Sequence, residues 1–346
     1  MLGSLLFIAA HICNAQEPVS GQPAIATPST STQSDQQPPT IRVNTSVVLV
    51  PTLVEKPSGE VVYGLGPNDF TLEDNGVKQD IHVDDDLDTQ PVSLVVCIQR
   101  GRSSGLEFDK LAKLGPLLDL FTAGGRGEAA LVVFDSKPVY LDGFSRDTSD
   151  ITRDLQQLQG GDGGAAILDA VGFSVDLLEH RPPDHRRVLL LISESRDHGS
   201  KNFSAQGLVE RIGTSNTLVL SLTFSPTKAA LIDWGKGNAA GGSSIDVKAP
   251  LMMLLAALHK NAAREIATMS GGESVAFTKE KGFQDRVDEL ASHARNRYIL
   301  SFHPSDLTPG LHTIQVKLNN DYNARVVARA SYWAVNDATA SSSRVP

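Results

Sequence analysis

Residues 91–105, PVSLVVCIQRGRSSG, constrain this chain more than any other stretch. From Val92 to Ile98 the run is apolar at nearly every position, and it ends in a polar loop carrying Gly101 and Gly105. A strand with one wet face alternates. A strand apolar throughout must be covered on both faces, as in the centre of a parallel sheet. Parallel neighbours cannot be joined by a hairpin and need crossover helices, so strands and helices must alternate downstream. In such sheets ligands bind beyond the carboxyl ends of the strands, which puts the loop from Gln99 to Ser103 at the functional edge.

The alternation is present. Leu106–Phe121 reads as a helix with Pro116 as a kink or break. Glu128–Phe134 is a buried strand, Pro138–Leu141 a short edge strand, and Thr148–Leu158 an amphipathic segment. A glycine-rich loop, Gly160–Gly164, precedes a helix over Ala165–His180. RVLLLIS at Arg187–Ser193 is a second central strand, followed by the polar loop Glu194–Ser200. Ala205–Ile212 reads as a helix, Thr217–Phe224 as a strand, Leu251–Met269 as one helix and Glu273–Phe277 as a short strand. Phe283, Val287, Leu290 and Ala294 mark one face of a last helix. This predicts a doubly wound, Rossmann-like α/β domain over residues 91–296 with a mostly parallel six-stranded sheet.

β-rich segments flank it. Val43–Val54 is rich in Val and Thr, and Glu60–Tyr63 is a further strand candidate. Phe70–Glu73, the turn Asp74-Asn75-Gly76 and Val77–Val83 form a hairpin. Beyond the helices, Arg297–His303, Leu311–Leu318 and Ala324–Trp333 read as strands. Neither segment could bury a core alone. Residues 41–88 and 297–334 are therefore expected to build one small β-sandwich-like domain, with the α/β domain inserted between its strands. The acidic junction Asp84, Asp85, Asp86 and Asp88 reads as a solvated linker, with a calcium site as the alternative.

The ends have a different composition. Residues 1–15 carry the short apolar core Leu5–Ala10 and end in Cys13-Asn14-Ala15, the pattern of a signal peptide cleaved after Ala15. Residues 16–40 are rich in Pro, Ser, Thr and Gln and read as an unstructured linker, as does the tail 335–346. Loss of Cys13 with the leader would leave Cys97 as the single cysteine of the mature chain and rule out an internal disulfide. A net charge of −9 argues against nucleic acid as the partner. Pro250–Leu258 is apolar but too short to span a bilayer.

The strand–helix order from Pro91 to Asn296 resembles a von Willebrand factor A domain. The flanks resemble the secreted VWFA-related family of acidobacterial type: VLVPTLVEKPSGEVVYGLGPNDFTLEDNGVKQDI at Val48–Ile81 is similar to its N-terminal segment, and RYILSFHPSDLTPGLHTIQVKL at Arg297–Leu318 to its C-terminal one. The resemblance covers residues 41–334. It implies protein binding through a metal-ion-dependent adhesion site, built from D-x-S-x-S after the first strand, a Thr in a second loop and an Asp after the fourth strand. Mg²⁺ takes about six hard oxygen ligands, some of them charged. Here Gln99 stands where the resemblance implies Asp, Gly101 where it implies the first Ser, and Ala165 where it implies Thr; Ser103 and Glu194 retain oxygens. Arg100 and Arg102 bring positive charge to the same loop, and Arg196 follows Glu194. A divalent cation beside them would be repelled. The expectation is a degenerate site with no metal or cofactor; a rearranged Mg²⁺ site using Asp162 or Ser104 is the alternative. Arg100 or Arg102 would take the metal's place, pairing with Glu194 or facing an acidic residue of the partner, or else both arginines are simply solvated.

Gly101-Arg102-Ser103-Ser104-Gly105 also spells G-x-S-x-G between a strand and a helix, which makes Ser103 a candidate nucleophile with Asp197, His198 or His259 as partners. Against it, the motif follows the first strand of its domain and no HGG-type oxyanion loop precedes it. The glycines of 160–164 could cradle a phosphate, but no P-loop Lys-Ser/Thr follows, and they read as a flexible loop between helices. His180, His185, His198, His259, His293, His303 and His312 show no metal-ligand spacing and are expected at the surface. The long segment Ser225–Lys248 leaves the carboxyl edge and carries Trp234 beside Ile232 and Asp233, either as a partner contact or packed locally. Taken together, the sequence reads as a secreted or periplasmic, non-enzymatic protein-binding module.

Overall fold

The structure is a computed structural model that describes residues 47–84, 90–101, 114–122, 125–224, 249–277 and 280–335. The leader, the linker, Asp85, Asp86, Asp88, Arg102, Ser103, Ser104, Trp234 and the tail from Asn336 onward lie outside the described residues.

The chain opens with β1 (Val48–Glu55), the hairpin strands β2 (Phe70–Asp74) and β3 (Val77–Lys78), and β4 (Ile81–Asp84). The central sheet follows. It contains β5 (Val92–Gln99), β6 (Glu128–Phe134), β7 (Pro138–Ser145), β8 (Arg186–Ser193), β9 (Thr217–Phe224) and β10 (Ser274–Phe277), in the order β10-β9-β8-β5-β6-β7. All neighbours are parallel except β7, which runs antiparallel to β6. The double apolar coding of β5 is used as expected: Leu94, Val96 and Ile98 enter one core layer, and Val95 and Cys97 the other. The first layer is closed by α1 (Gly115–Thr122), α2 (Ser149–Gln156) and α7 (Glu280–Arg295), through Leu118, Phe121, Ile151, Phe283, Val287 and Leu290. The second is closed by α3 (Ile167–Glu179), α4 (Ala205–Thr214), α5 (Ala249–Lys260) and α6 (Ala262–Ser270). Cys97 is fully buried, and burial pushes its thiol up to about 12, so it behaves as a small apolar side chain. No helix among the described residues is long and apolar enough to cross a membrane.

The helix expected over Leu251–Met269 is two helices. Asn261 divides them: its side chain accepts a hydrogen bond from Arg264 N and caps α6, whose other end is closed by Gly271 at φ 86°. The edge strand expected over Pro138–Leu141 continues to Ser145 through two register shifts. At Glu60–Tyr63 a single bridge, Glu55 to Val61, replaces the expected strand.

The flanking strands form two further four-stranded sheets, β13-β1-β11-β4 and β14-β12-β2-β3, with β11 (Tyr298–Phe302), β12 (Gly310–Leu318), β13 (Arg325–Ala328) and β14 (Ser331–Ala334). Each sheet mixes strands from before and after the α/β domain: β1 pairs with β11 and β13, and β2 with β12. They share a core of Val50, Val54, Phe70, Leu72, Leu300, Phe302, Ile314 and Tyr332. The single strand expected over Ala324–Trp333 is two strands, because the chain changes sheets at Arg329. The buried Arg329 guanidinium donates to Leu49, Ile212, Gly213 and Ser331 carbonyls and fixes that crossing.

Two histidines expected at the surface are buried. His312 Nδ1 lies 3.0 Å from Asp74 Oδ1, and Tyr332 Oη donates to Asp74 Oδ2 at 2.8 Å, which ties β2, β12 and β14 together. His293, on α7, sits between two carboxylates: Nδ1 is 3.0 Å from Glu273 Oε2 and Nε2 is 3.6 Å from Glu55 Oε2. Arg297 donates to Glu273 and Arg325 to Glu55, so the cluster joins the α/β domain to β1 and β13. Burial works against the charged imidazolium, but the hydrogen bond to Glu273 and the charges of Glu273 and Glu55 outweigh it and raise the His293 pKa. Such a group stabilises fully below its unfolded pKa, and the contribution is lost as pH rises through the folded value. Chemical denaturation followed from about pH 6 to pH 9 should show stability falling with pH. His293→Gln should remove that fall; an unchanged slope in the variant would refute the assignment.

Candidate functional site

The carboxyl edge of the central sheet is built by three chain turns that close on one another. The first is the end of β5. Gln99 is buried, and its side-chain amide makes a two-way bridge: Nε2 donates to Glu194 Oε1 at 3.0 Å and Oε1 accepts from Glu194 N at 2.9 Å. Nε2 also reaches Gly164 O at 3.2 Å. One side chain thereby links β5, the glycine loop and the loop after β8.

The second turn is the glycine loop. Gly161 N donates to Arg100 O at 2.5 Å, and a Cβ on Gly161 would lie 2.5 Å from Asp135 Oδ2. A Cβ on Gly164 would lie 2.4 Å from Ser136 Oγ. The glycines are therefore required by close approach to the end of β6, which is a different role from either sequence reading. Ala165 is fully buried and forms a two-way backbone bridge with His198, so the position where the resemblance implies a ligand oxygen offers a methyl group to the core.

The third turn follows β8. Glu194 Oε1 also lies 2.7 Å from His198 Nε2, so this oxygen has two protein neighbours. Asp197 Oδ1 accepts from Leu168 N at 3.0 Å and Ser200 Oγ at 2.6 Å. Asp169, in the first turn of α3, accepts from Lys201 N, Asn202 N and Phe203 N at 2.8 to 2.9 Å. Of the residues considered as a hydrolytic triad, Asp197 is engaged in holding the loop, His198 faces Glu194, and His259 is exposed on α5.

Arg100 does not reach Glu194. Its guanidinium pairs with Asp135 at 2.6 Å, and Asp135 is buried at the end of β6. The expected Arg100–Glu194 pair is thus replaced by two separate contacts, Arg100 with Asp135 and Glu194 with Gln99 and His198. Asp135 is the site residue that the sequence reading missed. Its signal was an acid directly after the buried run EAALVVF, at the same edge as Gln99. Gly101 ends the described part of the first loop. Asp162 is exposed, and hydrogen bonds from Gly164 N and then Ser136 hold its carboxyl below the usual range.

Of the groups that could hold a cation, Glu55, Glu273 and His293 bring three ligand atoms within 4.8 Å of one another. Arg297 and Arg325 already occupy these carboxylates and would oppose a divalent ion at close range. At the carboxyl edge, the donors Gln99 Nε2 and Arg100 Nη2 point at the carboxylate oxygens a cation would need.

The strand order, with one antiparallel edge strand and helices on both faces, is that of a von Willebrand factor A-like domain, here set between two β-sheets made from the chain's own flanks. No family model and no curated protein matches the chain. Among solved structures, it is similar to the conserved hypothetical protein BatB from Bacteroides thetaiotaomicron, at 13% identity and a TM-score of 0.39 over 59% of this chain and 98% of that one. It is also similar to the PilB minor pilin from Streptococcus sanguinis, at 12% identity and 0.41 over 60% and 62%. The vWF domain of the type V pili tip protein Mfa5 from Porphyromonas gingivalis matches at 19% identity and 0.29 over 34% and 43%. Likeness at this level carries nothing about activity, and the fold assignment stands on the strand order.

Proposed function

We propose that the chain is a secreted or periplasmic, non-enzymatic module that binds another protein through the carboxyl-edge loops of its von Willebrand factor A-like domain, without a metal ion. The observation that carries this reading is the Gln99–Glu194 bridge. A carboxylate placed where a metal ligand would stand has its Oε1 held by an amide N–H and an imidazole. The hydrogen bonds that a hydrated cation would have to displace are internal to the fold. With Ala165 buried and Arg100 bound to Asp135, the edge is a braced, mixed-charge surface, on which the exposed Arg196 and His198 are available to a partner. Arg102 and Trp234 belong to the same proposed surface by their place in the chain.

Calorimetric titration of the full chain with Mg²⁺ and Mn²⁺ is expected to show no binding; micromolar binding abolished by Glu194→Ala would replace this reading with a rearranged adhesion site. Capture of a partner from envelope extract should survive EDTA and be lost with Arg196→Glu. Labelling by a fluorophosphonate probe that disappears in Ser103→Ala would instead show a hydrolase.

A further inference from the structure

Three strand edges meet in one groove of about 400 Å³ between the flanking strands and the α/β domain. Ser274 lines it from β10, Val316 from β12, and Val326 and Ala328 from β13. β10 is the last strand of the central sheet, and β13 is the last strand of its own flanking sheet. β12 pairs with β14 only as far as Thr313, and from Ile314 onward it has β2 on one side alone. The hairpin pairing of β12 with the chain that returns to it stops where Ile314 N donates to Ala330 O. Past that point β12 and β13 belong to different sheets.

The registers fix which way the backbone groups point, because along an antiparallel pair they alternate between the partner and the outside. Arg329 N donates to Pro51 O, so Arg329 and Val327 face β1 while Val326 and Ala328 turn their N–H and C=O groups outward. Leu72 O accepts from Gln79 N on the side away from β12, so Val316, its partner, likewise faces away from β2. In the parallel β9–β10 pair Ser221 N donates to Glu273 O, which leaves Ser274 facing outward. The groove is therefore walled by backbone donors and acceptors that have no strand partner among the described residues. Such an edge is a template for another strand.

The charge in the groove selects the strand. Its acids are already engaged, Glu273 with Arg297 and His293 and Glu289 with Arg286. Arg264, half-buried on α6, is not: its ion-pair contact with Glu265 is 4.0 Å long, beyond hydrogen-bond distance. Its guanidinium fork is open to a carboxylate.

We propose that this groove takes an extended, acidic segment of another protein, added as a strand to the free edge of β13, with a carboxylate of that segment on Arg264. The groove shares no residue with the carboxyl edge, so the two readings stand or fall separately.

The test is selection of random ten-residue peptides displayed on phage, on the full chain, with counter-selection on Val326→Pro. That substitution removes an outward N–H that β1 does not use, at an edge position where proline is tolerated. The enriched peptides are expected to carry Asp or Glu and to lack proline. Bound as free synthetic peptides, they should slow hydrogen exchange at the Val326 and Ala328 amides. Arg264→Glu, which changes a side chain that holds nothing by a hydrogen bond, should weaken them about tenfold or more, and it carries the test alone if Val326→Pro does not fold. No enrichment over the counter-selected chain, enrichment of basic peptides, undiminished binding to Arg264→Glu, or protection of other amides in place of these two would each overturn the proposal. So would protection of Val326 and Ala328 without peptide: if independent of protein concentration it would assign the groove to a segment of this chain, and if dependent on it to a second copy.

Discussion

Replacing Arg297 by alanine is expected to destabilise the chain by about 3–5 kcal/mol, read from chemical denaturation at neutral pH. Arg297 is fully buried between the α/β domain and the flanking sheet. Its Nη1 donates to Gly271 O at 2.6 Å and its Nη2 to Glu273 Oε2 at 2.7 Å. Removing the guanidinium leaves the largely buried Glu273 with the His293 hydrogen bond and the more distant charge of Arg325 to balance it, and leaves the Gly271 carbonyl without its donor. A buried charge stripped of its partner costs far more than the intact pair contributes. The two effects can be separated. Arg297→Met fills most of the volume, so its loss reports the charge and hydrogen bonds. Adding Glu273→Gln to Arg297→Met removes the uncompensated carboxylate and should recover a substantial part. If the double variant is as unstable as the sum of the singles, the network is not the source of the loss.

Asp169→Ala should cost about 3 kcal/mol or more, and should also release the loop that follows β8. The Asp169 carboxylate is 2% exposed and accepts from three consecutive backbone N–H groups, Lys201, Asn202 and Phe203. It also sits in the first turn of α3, where the helix dipole favours a negative charge. Alanine leaves three donors facing a cavity with no acceptor. Hydrogen exchange should rise over residues 197–203 first, and capture of a partner should weaken because His198 and Glu194 lose their support. Asp169→Asn keeps the shape but one of its terminal atoms is no longer an acceptor, so it should fall between the two. A loss under 1 kcal/mol in Asp169→Ala, or exchange confined to other segments, would show that the loop is held by something else.

Much of the architecture was legible because it depends on periodicity. Val92–Ile98, Glu128–Phe134, Arg187–Ser193 and Thr217–Phe224 are apolar on both faces, and only a doubly covered parallel sheet can use such strands. The flanks were legible as halves of one sheet system because neither could bury a core by itself. What periodicity could not show was where a regular element is interrupted. Asn261 divides one apolar helical stretch into two through a cap that competes with the helix, and Arg329 turns one strand into two by fixing a change of sheet. Both effects come from side-chain hydrogen bonds, which leave no period in the sequence.

At the carboxyl edge, the substitution of Gln99, Gly101 and Ala165 at positions where oxygen ligands are implied was readable directly, since each residue type either has a suitable oxygen or does not. The pairing of those residues was not readable. Arg100 has no acid beside it in the chain, and its partner Asp135 lies 35 residues on, at the end of the next strand; Glu194 lies 95 residues beyond Gln99, which holds it. The sequence by itself determined which faces of which strands had to be buried, because burial follows from residue type and spacing. The tertiary structure alone decided which charge meets which, because Coulomb and hydrogen-bond energies depend on distances of a few ångströms between residues far apart in the chain. That is why the opening motif fixed the fold around it, while the fold fixed the partners of the motif.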